Sequence, residues 1–305
     1  MEKDVIVSVE SPQAGPEAAR RHCSWLEEGK IVFFPRTPFE FPDSDRQFLL
    51  QQKQTSAQFH KNIAYRPLSD KVTGAAGLSA DDSRRLHQIM RRYSNSVQQF
   101  LGGFLAPYAG HWRLDYASFR PFQEKGRNLR RRARNDLLHL DNFPTRPTNG
   151  DLILRFFTNI NPQESRRWIT TSSYQELVER FTSRGGLDYP SPLEGWTRLR
   201  YSLLKAGKAV GLPVAARPPY DDFMLRLHHA MKEDREFQDT TPKIHLEFPP
   251  GSCWMVFTDR VAHAALSGQY ALEQTFMVAR KSLVDPAQAP LEILQRVSGR
   301  APLSA

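Results

Sequence analysis

The sequence predicts a mainly β fold with flanking helices, an α+β arrangement around an antiparallel core and not a parallel doubly wound sheet. Three observations carry this. Helical patterns fill the first part of the chain, and strand patterns dominate from Trp112 onward. The strand region is interrupted once by a helical stretch and then resumes. Neither a GxGxxG nor a P-loop is present, which sets aside nucleotide-binding βαβ architectures. With no internal repeat and no low-complexity linker, we expect one domain over residues 1–305. Its helical N-terminal part should run to about residue 110, and a helical insert should span about 170–235.

The elements follow in order. EAARRHCSWLEE, 17–28, reads as a helix stopped by Gly29, and KIVFFP then reads as a short buried strand ended by Pro35. A second helix is expected over about 45–56. Ser79 is a good N-cap, with Asp81 and Asp82 in the first turn of a long helix running towards Gly102. WRLDYASFR, 112–120, alternates as a strand does, and Pro121 ends it. LLHLD, 137–141, is short and extended, and DLILRFFTNI, 151–160, is rich in β-branched and aromatic residues. TSSYQELVERF is the clearest helical segment of the insert. KIHLEF, the turn Pro249-Pro250-Gly251, SCWMVFTD and QTFMVAR return to strand.

Composition narrows the function. No run approaches the ~18–20 apolar residues of a membrane span. The start, MEKDVIVSVESPQ, lacks an apolar stretch behind a basic tip, so no secretory signal is expected. Cys23 and Cys253 are the only cysteines, which excludes a disulfide framework and a Cys-rich zinc site and fits a reducing, cytoplasmic setting. The formal charge of +9 favours an anionic partner, while the absence of zinc-finger spacing or an RNP-like aromatic pattern speaks against nucleic acid.

The chemistry centres on NDLLHLDNFPTRP, 135–147. Residues i and i+2 of a strand share a face, so His139 and Asp141 project together while Leu138 and Leu140 pack on the other side. HxD alone is a weak pattern. His263 strengthens it, because it follows a turn, a buried strand and a short loop, and two facing sheets can bring it back against the pair. Two histidines and a carboxylate form the facial triad of non-haem Fe(II) oxygenases, leaving open positions for an oxoacid and O2. His245 with Glu247, and His228 with His229, compete on spacing; both pairs read as hydrogen-bonding histidines, since adjacent helical residues point about 100° apart. No HExxH supports a zinc hydrolase.

Such a triad calls for 2-oxoglutarate, whose distal carboxylate suits an arginine fork. Arg155 stands inside the apolar strand DLILRFF, where an unpaired charge is costly, and Arg280 at the end of QTFMVAR is the rival anchor. The run EKGRNLRRRARND, 124–136, holds Lys125, Arg127, Arg130, Arg131, Arg132 and Arg134. It reads either as a solvated loop or as a headgroup-binding collar, each cation near an anionic bilayer contributing about 1 kcal/mol. Lys61, Arg66 and Arg120 are candidate contacts to a sugar carboxylate or phosphate, or ordinary surface ion pairs.

HLDNFPTRPTNGDLILRFFTNINP, YDDFMLRLHHAMKEDREFQ and FPPGSCWMVFTDRVAHAALSGQYALEQTF resemble the Kdo hydroxylase family, as do KNIAYRPL and SFRPFQEKGR, from about residue 30 to about 280. The resemblance implies a double-stranded β-helix, or jelly-roll, dioxygenase using Fe(II), 2-oxoglutarate and O2, with ascorbate as an aid. It implies hydroxylation at C3 of Kdo (3-deoxy-D-manno-oct-2-ulosonic acid) to give Ko on a Kdo-lipid A precursor of lipopolysaccharide. The setting it implies is the cytoplasmic face of the inner membrane. It puts iron on His139, Asp141 and His263 and 2-oxoglutarate on Arg155. Arg166 and Trp168, in a family-like RRW, join Lys61, Arg66, Arg120 and Arg127 as candidate substrate contacts. The heavily basic run departs from the family pattern. Two other readings stay open at this point: an oxygenase of alkylated nucleic acid, and a non-catalytic β-fold binding anionic glycolipid.

Overall fold

The computed structural model describes residues 5–52, 62–75, 77–183, 186–191, 193, 195–210, 212 and 216–299. The early strands are β1 (Ile6–Ser8), β2 (Ile31–Phe34), β3 (Ile63–Arg66), β4 (Lys71–Thr73) and β5 (Trp112–Arg120). The later ones are β6 (Leu152–Asn159), β7 (Arg166–Thr170), β8 (Ile244–Phe248), β9 (Cys253–Phe257), β10 (His263–Ser267) and β11 (Ala271–Val278). Helices α1 (Pro16–Glu27), α2 (Asp43–Leu50) and α3 (Ala80–Phe104) precede β5. Helices α4 (Tyr174–Ser183), α5 (Gly195–Ala209), α6 (Pro219–Glu233) and α7 (Arg235–Thr240) lie between β7 and β8, and α8 (Pro290–Ser298) follows β11.

The large sheet runs β1-β2-β9-β6-β11-β5-β3-β4 and the small one β10-β7-β8. Pairing is antiparallel throughout except for the parallel edge pair β1–β2. The small sheet gains a fourth position from the 137–141 segment. There the His139 N–H donates to the His263 carbonyl at 3.1 Å and the His263 N–H returns the bond at 2.9 Å. Four central strands facing four positions make the jelly roll.

Strand period explains the layers. On β6, Leu152, Leu154 and Phe156 join the core under the helices, while Phe157 joins the core between the sheets. β9 divides likewise, Met255 and Phe257 to the helix side and Trp254 and Val256 to the inner side. Both faces are covered, which is why these strands read as continuous apolar runs. The long helix α3 is capped by Ser79, whose Oγ accepts the Asp82 N–H at 3.0 Å. It lays Leu86, Ile89, Met90, Tyr93, Val97 and Leu101 against the large sheet, each burial contributing roughly 1.5–3 kcal/mol. Across the molecule, Leu138 and Leu140 pack with Val178, Phe223, Leu227 and Phe237 of the insert. His139 is thereby turned the other way.

Several expectations need correction. The second helix ends at Leu50, and residues 53–56 lie outside the described residues. α3 continues through Gly102 and Gly103 to Phe104. The expected strand KIVFFP is β2, but the N-terminal part is less helical than expected, since β1, β3 and β4 also extend the large sheet at its edges. The insert reaches Thr240. Strands β7 and β10 and helix α8 were not anticipated. No helix among the described residues is long and apolar enough to cross a membrane.

Candidate metal centre

Between the two sheets lies a small cavity of about 100 Å³, with His139, Asp141 and His263 on its wall. One potential ligand atom from each lies within 4.8 Å of the others. The backbone fixes all three: His139 and His263 exchange two hydrogen bonds, and the Asp141 N–H donates to the Thr258 carbonyl at 2.8 Å. The ring tautomers are set as well. His139 Nδ1 donates to the Leu137 carbonyl at 2.7 Å and His263 Nδ1 to that of Val261 at 3.0 Å, leaving both Nε2 atoms as acceptors. Burial, reinforced by the Lys232 ammonium, pushes the His139 imidazole down to about 3, and burial lowers His263 too. Burial opposes charge on Asp141, yet Arg155 above all holds its carboxyl well below the usual range. Two neutral imidazoles and one carboxylate are the donor set of a borderline divalent ion. A roomier hollow of about 700 Å³, beside Phe122, Arg127, Leu129 and Tyr270, carries no such donors.

Beside the triad, charges alternate through buried space. Arg155 contacts Asp141 at 2.9 Å and Glu273; Glu273 takes Arg120 at 2.7 Å; Glu124 takes Arg120 at 3.3 Å, Arg166 at 3.1 Å and Arg127 at 3.5 Å. Four guanidiniums against three carboxylates leave one positive charge over. Burial alone would neutralise Glu124 and Glu273, but their arginine partners keep both carboxyls below the ordinary range. Donors are also left over: Nε of Arg120, Arg155 and Arg166 and Nη2 of Arg127 make no hydrogen bond, nor does Asp141 Oδ2. Arg155 Nε is near that oxygen, but its N–H points off the line. The unused donors of Arg120, Arg155 and Arg166, whose side chains line the polar cavity, fit an anionic ligand, and the unused Asp141 oxygen fits a cation.

Aromatic packing closes one side. Trp168 stacks on the His263 ring at 5.0 Å and meets Phe157 and Phe248 edge-on, while Phe248 and Trp254 stack at 4.0 Å. Arg166 enters beneath the β10–β11 turn, where a Cβ on Gly268 (φ +121°) would come within 2.8 Å of its side chain. Only glycine fits this close approach.

The cavity gathers Arg120, Arg155, Arg166 and Trp168 from the sequence candidates. It does not gather Arg280, whose guanidinium pairs with Glu292 of α8 at the strand's outer end. Arg66 is exposed and lies over the Tyr116 ring at 5.0 Å. Arg127 reaches the network only through Glu124 and otherwise covers the Phe122 ring at 3.9 Å. Lys61 lies outside the described residues. His245 and Glu247 are exposed on β8. His228 donates from Nδ1 to the Leu140 carbonyl at 2.6 Å, 5.2 Å from the His139 ring but outside the ligand cluster. The basic run is largely tied down: Arg131 donates to the Lys232 carbonyl, Arg132 pairs with Glu233 and Arg134 with Asp136. Sequence reading missed Glu124 and Glu273.

Asp259, in the β9–β10 turn, is buried with neither oxygen hydrogen-bonded, and burial pushes its carboxyl up to about 7. Unfolded, it would titrate near 4, so between these values the folded state holds the extra proton. Stability should therefore fall as pH rises from about 4 to about 7, by on the order of 4 kcal/mol at about 1.4 kcal/mol per unit. Asp259→Asn should flatten that slope in denaturant titrations between pH 5 and 8, read as about 1 kcal/mol or more gained at the upper end. An unchanged slope refutes it.

The family profile described as 3-deoxy-D-manno-oct-2-ulosonic acid (Kdo) hydroxylase matches residues 9–301. The apo structure of the Kdo hydroxylase KdoO, a non-haem Fe(II) α-ketoglutarate-dependent dioxygenase, is 31% identical with a TM-score of 0.83, covering 98% of this chain and 97% of that one. The cobalt(II) complex of KdoO gives 31% and 0.84, covering 99% and 98%. Its complex with α-ketoglutarate and Fe(III) gives 30% and 0.82, covering 98% and 97%. No curated protein matches the chain.

Proposed function

The chain belongs to the Kdo hydroxylase family, and on that premise we propose that His139, Asp141 and His263 hold one Fe(II) beside a 2-oxoglutarate site. The protein is an Fe(II)- and 2-oxoglutarate-dependent dioxygenase that hydroxylates Kdo. The observation that carries the site assignment is the convergence of the three ligand atoms in a cavity flanked by unused guanidinium donors. The metal supplies the redox chemistry of O2 once 2-oxoglutarate is in place.

The chain's own residues do the rest. The carbonyls of Leu137 and Val261 hold the two imidazoles in the ligating tautomer. Arg155 would hold a carboxylate of 2-oxoglutarate, while Arg120 and Arg166 keep the neighbourhood positive. Trp168, Phe157 and Trp254 keep water from that side.

The finer substrate is a Kdo-lipid A precursor met at the cytoplasmic face of the inner membrane, with the oxygen delivered to C3 to give Ko. Incubation of that precursor with the protein, Fe(II), ascorbate and 2-oxoglutarate should add one oxygen to the sugar portion in the mass spectrum, with succinate formed in step. An unmodified precursor with 2-oxoglutarate unconsumed defeats the reading.

A further inference from the structure

Of the six large hydrophobic side chains that stand exposed among the described residues, five fall between 196 and 212: Trp196, Leu199, Leu203, Val210 and Leu212. The first three lie on α5 at i, i+3 and i+7, one face of a helix, and Trp196 is 83% exposed. Tyr201 and Leu204, on the opposite side, turn towards the hollow against α6. At about 100° per residue, Arg200 flanks the apolar stripe, while Arg198 and Lys205 fall on the far, polar side of the helix. From 195 to 220 the sequence has five basic residues and no Asp or Glu. Such a stripe is not explained by the metal centre or the core, and a contiguous exposed apolar face marks a contact surface.

We propose that α5 is a membrane-docking helix, lying in the interface of an anionic phospholipid bilayer with Trp196, Leu199 and Leu203 inserted, Arg200 beside them at the headgroups, and Arg198 and Lys205 adding positive charge from the polar side. This rests on the lipid-borne substrate argued above. Charge complementarity picks the occupant. A second copy docked through the same face by two-fold symmetry would set these cations against their own copies. A nucleic acid would use the cations and leave the leucines in water. A bilayer surface takes both, with Trp at its preferred depth. The basic run at 125–134 is a weaker candidate because acids and carbonyls of its own neighbourhood occupy much of it.

The test is flotation of the Fe(II)-loaded full chain with vesicles of phosphatidylcholine, alone or mixed with phosphatidylglycerol. Wild type should float with the mixed vesicles and not with neutral ones. The Trp196→Ser, Leu199→Ser, Leu203→Ser triple variant should lower binding at least about tenfold. Arg198→Gln, Arg200→Gln, Lys205→Gln should remove the preference for phosphatidylglycerol. Trp196→Phe should still float but lose the vesicle-induced blue shift of tryptophan fluorescence, a result that does not depend on the triple variant's folding. Turnover of a water-soluble Kdo oligosaccharide should be the same in wild type and the serine variant. Failure of wild type to float at low salt overturns the proposal, as does a serine variant that binds like wild type or turns a dimer into a monomer. Flotation without hydroxylation of vesicle-borne substrate leaves the docking helix standing and sinks the substrate reading instead.

Discussion

His263→Ala is expected to lower Kdo hydroxylation by about 10³-fold or more, because the proposed three-point metal site would be left with two ligands and several kcal/mol of the metal's contribution would be lost. Anaerobic wild type with Fe(II) and 2-oxoglutarate should give a weak visible charge-transfer band, and the variant should not. The same loss is expected for His139→Ala. The fold should survive, since the backbone bonds between 139 and 263 do not involve either ring. The removed ring does leave a gap against Trp168, which should cost a few kcal/mol in a thermal melt. His228→Ala is the discriminating control. His228 sits 5.2 Å from the His139 ring and is equally polar, yet it is not in the cluster, so the band should persist. A band that survives His263→Ala and disappears with His228→Ala would mean that the ligand set is wrong.

What the sequence disclosed depended on how locally each feature is encoded. His139 and Asp141 are two residues apart, so strand period alone places them together. β5 and β6 have eight or nine residues, long enough for their period to show. β1, β3 and β4 have three or four, too few for any period. β7 was hidden for another reason: it opens Arg166-Arg167, and two arginines look like loop until Glu124, 42 residues away, is brought up to pair Arg166. Glu273 was hidden in the same way. A faint signal did exist. Leu272, Phe276 and Val278 go to the helix side of β11, so Glu273 and Thr275 must share the face that Arg155 uses on the neighbouring strand. Arg280 was misjudged because it stands just past the last paired residue, where the strand's alternation no longer directs it and the unanticipated α8 offers Glu292.

That buried network gives the second large effect. Arg155→Ala should destabilise the protein by about 3–5 kcal/mol, since it strips a cation from two buried carboxylates at once, Asp141 and Glu273. It should also raise KM for 2-oxoglutarate by about 10–100-fold, the equivalent of one or two charge-assisted hydrogen bonds. The two consequences are separable. In wild type, 2-oxoglutarate with Fe(II) should raise Tm by mass action on the folded state, and in the variant that increment should shrink with the logarithm of the lost affinity, about 1.4 kcal/mol per tenfold. Arg155→Lys keeps the charge without the fork, so it should recover more of the stability than of the affinity. Arg166→Met provides the comparison, because Glu124 retains Arg120 and Arg127 when Arg166 is removed. Should Arg166→Met raise KM steeply while Arg155→Ala leaves it unchanged, the cosubstrate's carboxylate belongs on the Glu124 side of the cavity and not beside Asp141.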